Sequence, residues 1–502
     1  MLERIADAGD SQPQPDGKAL PSLLPAGLPS PDAHVAAALR CDPFSILLEA
    51  ATSVRAKLVA TRCVNSPGAV VAQRAHSLRT MADLSDRLHP LREKWVGRTP
   101  PKSPAVGINF PLVEMMISTF EYEDGKLVDE LCFGMPIAGR VKASGVLTRR
   151  GKDAASSVEV WRKSIPARNA ANVERVKRSR GPGESVACWG KTLKEIERGR
   201  LTNPTPISFE AIKSTPLAPR YALPEARARG AKYRLVGDFR AIGVNDIVSS
   251  EDTDVPHTID TCLSHAVLYE HVGPAIQLYA FAVDFAHAYK HVPLLRSQGE
   301  FATVILLPPT GGPVMAQLRT QPLGSRRSPA NRGRVTAFAR WPLGRIFGIF
   351  LATYADDCFS LEPIETVRSA YDTITQWNAL LGLELDADKW KKPACEIELL
   401  GATISLRPGS IDASLPQRKR GELAHDLKQL RSSGVLGPAD AAKMRGRLGY
   451  FQTLVFGRAG RAQLQPFTER QYAARATAQT VLPPSLKEVT PWWIATTESS
   501  ER

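Results

Sequence analysis

The chain has 502 residues, enough for two or three domains of ordinary size, and its 43% hydrophobic content supports packed cores, which excludes a wholly unstructured polypeptide. Lys and Arg outnumber Asp and Glu by 65 to 51, giving a net charge of +14 and a pI near 9.5, so a polyanion is an expected partner. The 7 cysteines stand singly with no C-x-x-C pair, which points away from a zinc site or a disulfide framework and toward a reducing compartment.

Residues 1–34 are proline-rich with little apolar periodicity and are expected to form a disordered tail. Prolines interrupt its apolar patch and no basic region precedes it, so no export is implied and an intracellular site, cytoplasm or nucleus, is expected. No apolar run approaches the roughly 20 residues needed to cross a bilayer. Asp42-Pro43 sets an N-cap and first-turn proline for a helix over 46–59, with Leu47, Ala51, Val54 and Leu58 on one face. A second amphipathic helix is expected over 70–88. Both read as packing helices in a mostly helical N-terminal extension, 35–195, to which the sequence assigns no role. Between 151 and 200 the composition turns polar and basic, with a loop or boundary at 178–183. Gly190-Lys191-Thr192 matches the end of a phosphate-binding loop, but the first glycine of G-x-x-x-x-G-K-[ST] falls on Ser185 and no strand precedes it. From about residue 230 short apolar runs alternate with helical segments, the texture of an α+β core.

The run 277–283 is nearly continuous in apolar and aromatic residues and reads as a buried strand ending in Asp284. A second apolar strand is expected over 346–354. Asp356 and Asp357 interrupt it before Cys358, Phe359 and Leu361 resume the pattern, so a hairpin with acids at its tip is expected. Adjacent acids repel, and burying an unpaired charge is costly, so a cation is their natural compensation. Magnesium takes hard oxygen ligands and keeps positions for water and substrate phosphates, which suits three carboxylates converging from two strands. Asp-Asp at a hairpin tip is also ordinary turn chemistry. The boxes around it favour the metal reading.

Tyr354-Ala355-Asp356-Asp357 resembles the Y-x-D-D box of reverse transcriptases, and the resemblance continues in the family's order across roughly 195–465. The segment from Lys232 through Arg234 and Asp238 to Asn245 resembles the fingers segment, in which Arg234 would contact the incoming triphosphate. Phe281 to Tyr289 resembles the first palm motif, with Asp284 as a metal ligand and Tyr289 as the aromatic that excludes a ribose 2′-hydroxyl. Gln321-Pro322-Leu323-Gly324, running to Ser328-Pro329, resembles the box that packs under the template base and nucleotide, where Gly324 would allow a close backbone approach. The segment 380–389 resembles the motif whose lysine, here Lys389, lies near the departing pyrophosphate. Leu399 to Ile404 resembles the primer-grip hairpin. The P-L-G form of the second box is closest to long-terminal-repeat or tyrosine-recombinase retroelements. Leu323 and the basic Arg326-Arg327 depart from the family's pattern, and no ribonuclease H, protease or integrase signature follows. The resemblance implies a right-hand polymerase, with fingers over 196–275, palm over 276–410, thumb-like helices over 411–470 and a C-terminal tail over 471–502. It further implies two Mg2+ ions, or Mn2+, on Asp284, Asp356 and Asp357, with Tyr354 and Gly324 beside the substrate. The implied partners are an RNA template, a DNA primer and deoxynucleoside triphosphates.

Two helices are expected over 417–430 and 439–454, the second entered through Gly437-Pro438. Residues 391–470 carry twice as many basic as acidic residues. Lys443, Arg445, Arg447 and Arg458 are therefore expected to hold duplex phosphates, which position a duplex without reading it. A solvated helical face has the same signature. Two functions remain open from the sequence: an active RNA-directed DNA polymerase, or a catalytically silent retroelement relic that only binds nucleic acid.

Overall fold

The computed structural model describes residues 33, 47–49, 53–98, 103, 105, 107–178, 182–225, 232–454, 460–473 and 481–499. It is a mixed α+β structure that divides into two compact units, one spanning 43–416 and the other combining 1–42 with 417–502. The expected tail over 1–34 lies outside the described residues except for Ala33.

The larger unit is organised around a four-stranded antiparallel sheet in the order Lys391–Ala394, Leu278–Asp284, Asp357–Pro363 and Ala352–Tyr354. Leu278–Asp284 is a central strand covered on both faces, which is why its apolar residues run almost without alternation. Its Phe281 ring meets Tyr371 of the Ile364–Leu381 helix edge-on at 5.4 Å. The Ser328–Arg345 helix, the Phe110–Thr119 helix and Leu127–Phe133 complete this core. The Pro67–Leu88 helix packs against Ile364–Leu381, and Met81, Trp95 and buried apolar residues between Ala105 and Met135 share one core with the sheet.

Two sequence expectations change here. The strand expected over 346–354 is confined to Ala352–Tyr354. The preceding helix runs to Arg345, Ile349 N–H still donates to the Leu343 carbonyl (2.9 Å), and Gly348 turns the chain at φ +61. Phe347, Ile349 and Leu351 thus enter the core from a loop. The helix expected over 46–59 is broken at Ser53, an extended N-cap whose hydroxyl accepts from Ala56 N–H (3.1 Å), and in the Val54–Asn65 helix that follows the expected apolar face is not the packed one: Val54 is 84% and Leu58 58% exposed, whereas Ala56, Val59, Ala60 and Cys63 are buried. Small side chains let this helix come close to Ile259–Val272, so size rather than hydrophobicity selected the contact face.

A five-stranded sheet runs in the order Thr205–Pro206, Val314–Gln317, Thr303–Leu306, Ala218–Glu225 and Lys232–Gly237. Trp161 of the Val158–Arg178 helix is buried beside it and donates from its ring nitrogen to the Ile242 carbonyl (2.8 Å). Gly190-Lys191-Thr192 lies inside the Pro182–Glu197 helix, with the Thr192 hydroxyl donating to Cys188 O (2.9 Å), so it forms no phosphate loop. The hairpin expected at 399–404 is present between Glu396–Leu399 and Ala402–Arg407. Its turn residues Leu400 and Gly401 both have positive φ, as a tight two-residue hairpin turn requires.

In the other unit the described residues include a 3-10 turn at Ala462–Leu464 and four α-helices, Gln417–Ser433, Pro438–Leu454, Gln465–Tyr472 and Pro484–Glu498. The stretch 471–502 holds the last of these, whose fully buried Trp493 donates from its ring nitrogen to Gln463 O (3.2 Å). Among the described residues no helix is long and apolar enough to cross a membrane.

Candidate active site

Strand register brings the acids to one place. Leu278–Asp284 pairs with Asp357–Pro363 so that Asp284 stands directly opposite Asp357, and Asp357 pairs in turn with Tyr354 on the other side. The hairpin closes through two residues, Ala355 and Asp356, with Ala355 in the left-handed region at φ +53. A non-glycine residue held there costs about 1–2 kcal/mol, strain of the kind that collects at functional turns. Asp356 also fixes the neighbouring strand end, its backbone carbonyl accepting from Phe285 N–H (3.3 Å).

The segment after the Ile364–Leu381 helix returns to this point. Phe285 bridges Leu385, and Asp386 N–H donates to the Asp284 carbonyl (2.8 Å). This delivers Lys389, whose ammonium donates to Asp284 Oδ1 at 2.7 Å and lies 3.7 Å from Asp386. Asp284 is only 5% exposed. Burial, with Asp356 and Asp357 acting in the same sense, outweighs Lys389 and holds its carboxyl up at about 6. Burial and then Asp356 likewise raise Asp357. Negative charge at this strand end therefore exceeds what Lys389 neutralises. Hard carboxylate oxygens under mutual repulsion are the donor set that a divalent cation relieves. Among the described residues, however, no three acidic, His or Cys side chains already gather around one ion-sized centre.

Tyr289 reaches the same site by another route. His287 adopts a left-handed conformation at φ +54 and starts the short turn Ala288–His291. Burial and then Asp356 raise the Tyr289 hydroxyl, with Arg332 acting in the opposite sense, so the phenol lies among these charges. The turn is clamped by Glu195, which accepts from Lys290 and from Arg220 of the five-stranded sheet. Burial alone would raise Glu195, but Arg220 and Lys290 outweigh it and hold the carboxyl at about 2, below the usual 4.5. A carboxyl depressed in the folded state stabilises the fold above its unfolded pKa and loses that contribution as pH falls through the folded one. Glu195→Gln should therefore lower the melting temperature at pH 7, and the gap from the parent protein should close between about pH 4.5 and 2. A gap unchanged at pH 2 would show that the clamp carries no linked charge.

Sequence reasoning missed Arg332. This residue of the Ser328–Arg345 helix is 2% exposed, and its guanidinium stacks 4.1 Å over the Phe285 ring. Its Nε and Nη2 have no hydrogen-bond partner. Its only signal in the sequence is an arginine with no acid three or four residues away on the helix.

The other expected residues lie elsewhere. Arg234 is exposed on Lys232–Gly237, in a different sheet from the acids. The close approach expected at Gly324 is made to the protein's own backbone: φ is +101, and a Cβ there would run into the Gly237 carbonyl. Asn245 fixes this loop by donating to Gly324 O (3.0 Å) and accepting from Arg326 N–H (2.7 Å). In the helical unit, Lys443 is exposed and 3.4 Å from Asp440, Arg445 donates to the Thr468 hydroxyl (2.8 Å), and Arg447 pairs with Asp426. Helical spacing puts Lys443 and Arg447 on one face and Arg445 about 160° away, so the three do not form one stripe. Arg458 lies outside the described residues.

No family model matches the chain, and no curated protein matches it in sequence. Among solved structures it is similar to the foamy viral protease-reverse transcriptase in complex with double-stranded DNA, at 14% sequence identity and a TM-score of 0.42. The match covers 60% of this chain and 46% of that one, so this chain spans less than half the length of that neighbour.

Proposed function

We propose that the chain is a template-directed DNA polymerase of the reverse transcriptase type, with fingers, palm and thumb in the order set out from the sequence. The observation that carries this reading is the register opposing Asp284 to Asp357 with Asp356 on the turn between strands, in a chain whose other boxes follow the same order. Two magnesium ions, or manganese, held by Asp284, Asp356 and Asp357 would activate a primer 3′-hydroxyl and stabilise the leaving pyrophosphate. Lys389 then exchanges its contact with Asp284 for one with the departing phosphate and keeps a proton at Nζ beside it. Tyr289 flanks the sugar. The test is extension of a DNA primer on RNA and on DNA templates with deoxynucleotides and magnesium. Absence of product on both, with duplex binding intact, would leave a nucleic-acid-binding protein without catalysis. That second reading has its own observation: Lys389 already engages Asp284, and no acid triad is assembled among the described residues.

Two further outcomes follow. Tyr289→Ala should raise ribonucleotide use relative to deoxynucleotide use by at least tenfold in kcat/KM, because the phenol feels the charge of Asp356 and takes the position that the resemblance assigns to the sugar-excluding aromatic. Equal discrimination before and after the change would make Tyr289 a packing residue. Lys443→Gln with Arg447→Gln should weaken duplex binding and flatten its salt dependence by roughly one unit of log–log slope for each phosphate no longer neutralised. Turnover at saturating duplex should be retained; abolished turnover with unchanged binding would point to a structural role for these side chains.

A further inference from the structure

Buried arginines at the Ser328–Arg345 helix are not treated alike. Arg327, at its start, pairs with Asp252 at 2.7 Å, and Arg334 pairs with Asp124 at 2.7 Å and with Glu130. Arg340 has no carboxylate within ion-pair distance among the described residues. Its Nη1 lies 2.7 Å from Nε2 and 3.1 Å from Nδ1 of His257. Burial, and then Arg340 itself, hold that imidazole down at about 4, so it is neutral at pH 7. At contact this largely buried cation faces an uncharged partner, and Asp254 acts on it only from beyond ion-pair distance, which leaves room for an anion at the guanidinium.

What Arg340 faces is a cavity of about 500 Å3, within the usual range for small-ligand sites. The rings of Phe120, Trp341 and Phe350 line it, and Phe120 is 43% exposed. His265 stacks on Phe350 at 4.7 Å and is also kept neutral by burial. At the lining, Arg55 and Arg345 stand with Glu121 and Glu123, so with Arg340 the basic side chains exceed the acidic by one. Arg345 already lies over the Trp341 ring, 5.0 Å from its centre. Flat aromatic surface beside a guanidinium with no carboxylate at ion-pair distance is the combination that binds a stacked base and its phosphate. The cavity also shares a wall with the acid hairpin: His257 N–H donates to Thr353 O (2.9 Å), and Thr353 N–H donates to His257 Nδ1 (3.2 Å), one residue before Tyr354.

We propose that this cavity binds one nucleotide of an unpaired nucleic-acid strand, its base against the Phe120, Trp341 and Phe350 rings and its phosphate on Arg340. The site is separate from the acid centre and does not depend on catalysis there. A short single-stranded oligonucleotide carrying 4-thiothymidine is photocrosslinked to the full chain without divalent metal, and the adduct is mapped by mass spectrometry. The expected adduct falls on Phe120, Trp341 or Phe350. Arg340→Met should reduce it at least tenfold while the variant still melts cooperatively. Phe120→Ala, at a position that is 43% exposed, should weaken binding about 5- to 100-fold. Adducts confined to other residues, or unchanged in both variants, would overturn the proposal. Competition by thymidine monophosphate equal to that by the strand would replace the strand with a free nucleotide, and equal competition by inorganic phosphate would reduce the site to an anion contact; either result rejects it as stated. Loss of primer extension leaves these readouts untouched, so failure of the polymerase reading is told apart from failure of this one.

Discussion

Asp284→Asn is expected to reduce magnesium-dependent primer extension by about 10²–10³-fold or more, the scale on which loss of one preorganised electrostatic group is felt. The substitution keeps the shape of the side chain and an oxygen that can accept from Lys389, but removes the charge at a strand end that is 5% exposed and stands opposite Asp357. Stability should move the other way. Asp356 and Asp357 both press on the Asp284 carboxyl, so taking away one of three mutually repelling charges should leave the melting temperature unchanged or higher. Loss of turnover with retained or increased stability is the signature of a group kept for chemistry. Asp356→Asn should match it, and substantial extension by both variants would remove these acids from the mechanism.

Arg74→Met should be the most damaging single change to the fold, at about 3–5 kcal/mol, read as a shift in the urea midpoint. Arg74 is 1% exposed and forms an ion pair with Glu362, whose exposure is 0%. Its Nη2 donates to Glu362 Oε1 at 2.7 Å and its Nη1 to Oε2 at 2.8 Å. The remaining donors reach the carbonyls of Phe347 (3.0 Å), Gly348 (2.8 Å) and Thr366 (3.2 Å) and the Ser369 hydroxyl (3.0 Å). One side chain from the Pro67–Leu88 helix thereby fastens the loop before the acid hairpin and the strand that follows it. The single substitution strands a buried carboxylate, whereas Arg74→Met with Glu362→Gln removes both charges and should recover more than half of the loss. A double variant as unstable as the single one would show that the carbonyl contacts, not the charge pair, carry the effect.

The acid hairpin was legible because its signal is local. An apolar run ending in Asp284 and a second interrupted at Asp356-Asp357 each announce a strand end, and strand pairing has few ways to join two such ends. The second helix of the C-terminal region was legible for the same reason, from its entry through Gly437-Pro438. Arg74 was not legible. Its partner is 288 positions away, and an arginine on an amphipathic helix reads as solvent-facing until the tertiary contact is known. Arg332 and Arg340 share that difficulty, since only packing distinguishes a buried guanidinium from an exposed one.

By itself the sequence determined the mixed α+β character, the excess of positive charge, the two strands that carry the acids and the absence of a phosphate loop at Gly190. Each follows from composition or from periodicity over fewer than about twenty residues, the range over which backbone geometry dictates pattern. Tertiary structure decided which face of Val54–Asn65 is buried, because close approach selected the small residues. It gave Gly324 to Gly237 and Lys389 to Asp284, since both pairings depend on distant segments arriving at one point. It also settled which arginines of the Ser328–Arg345 helix meet a counter-charge, a matter of packing that no local pattern encodes.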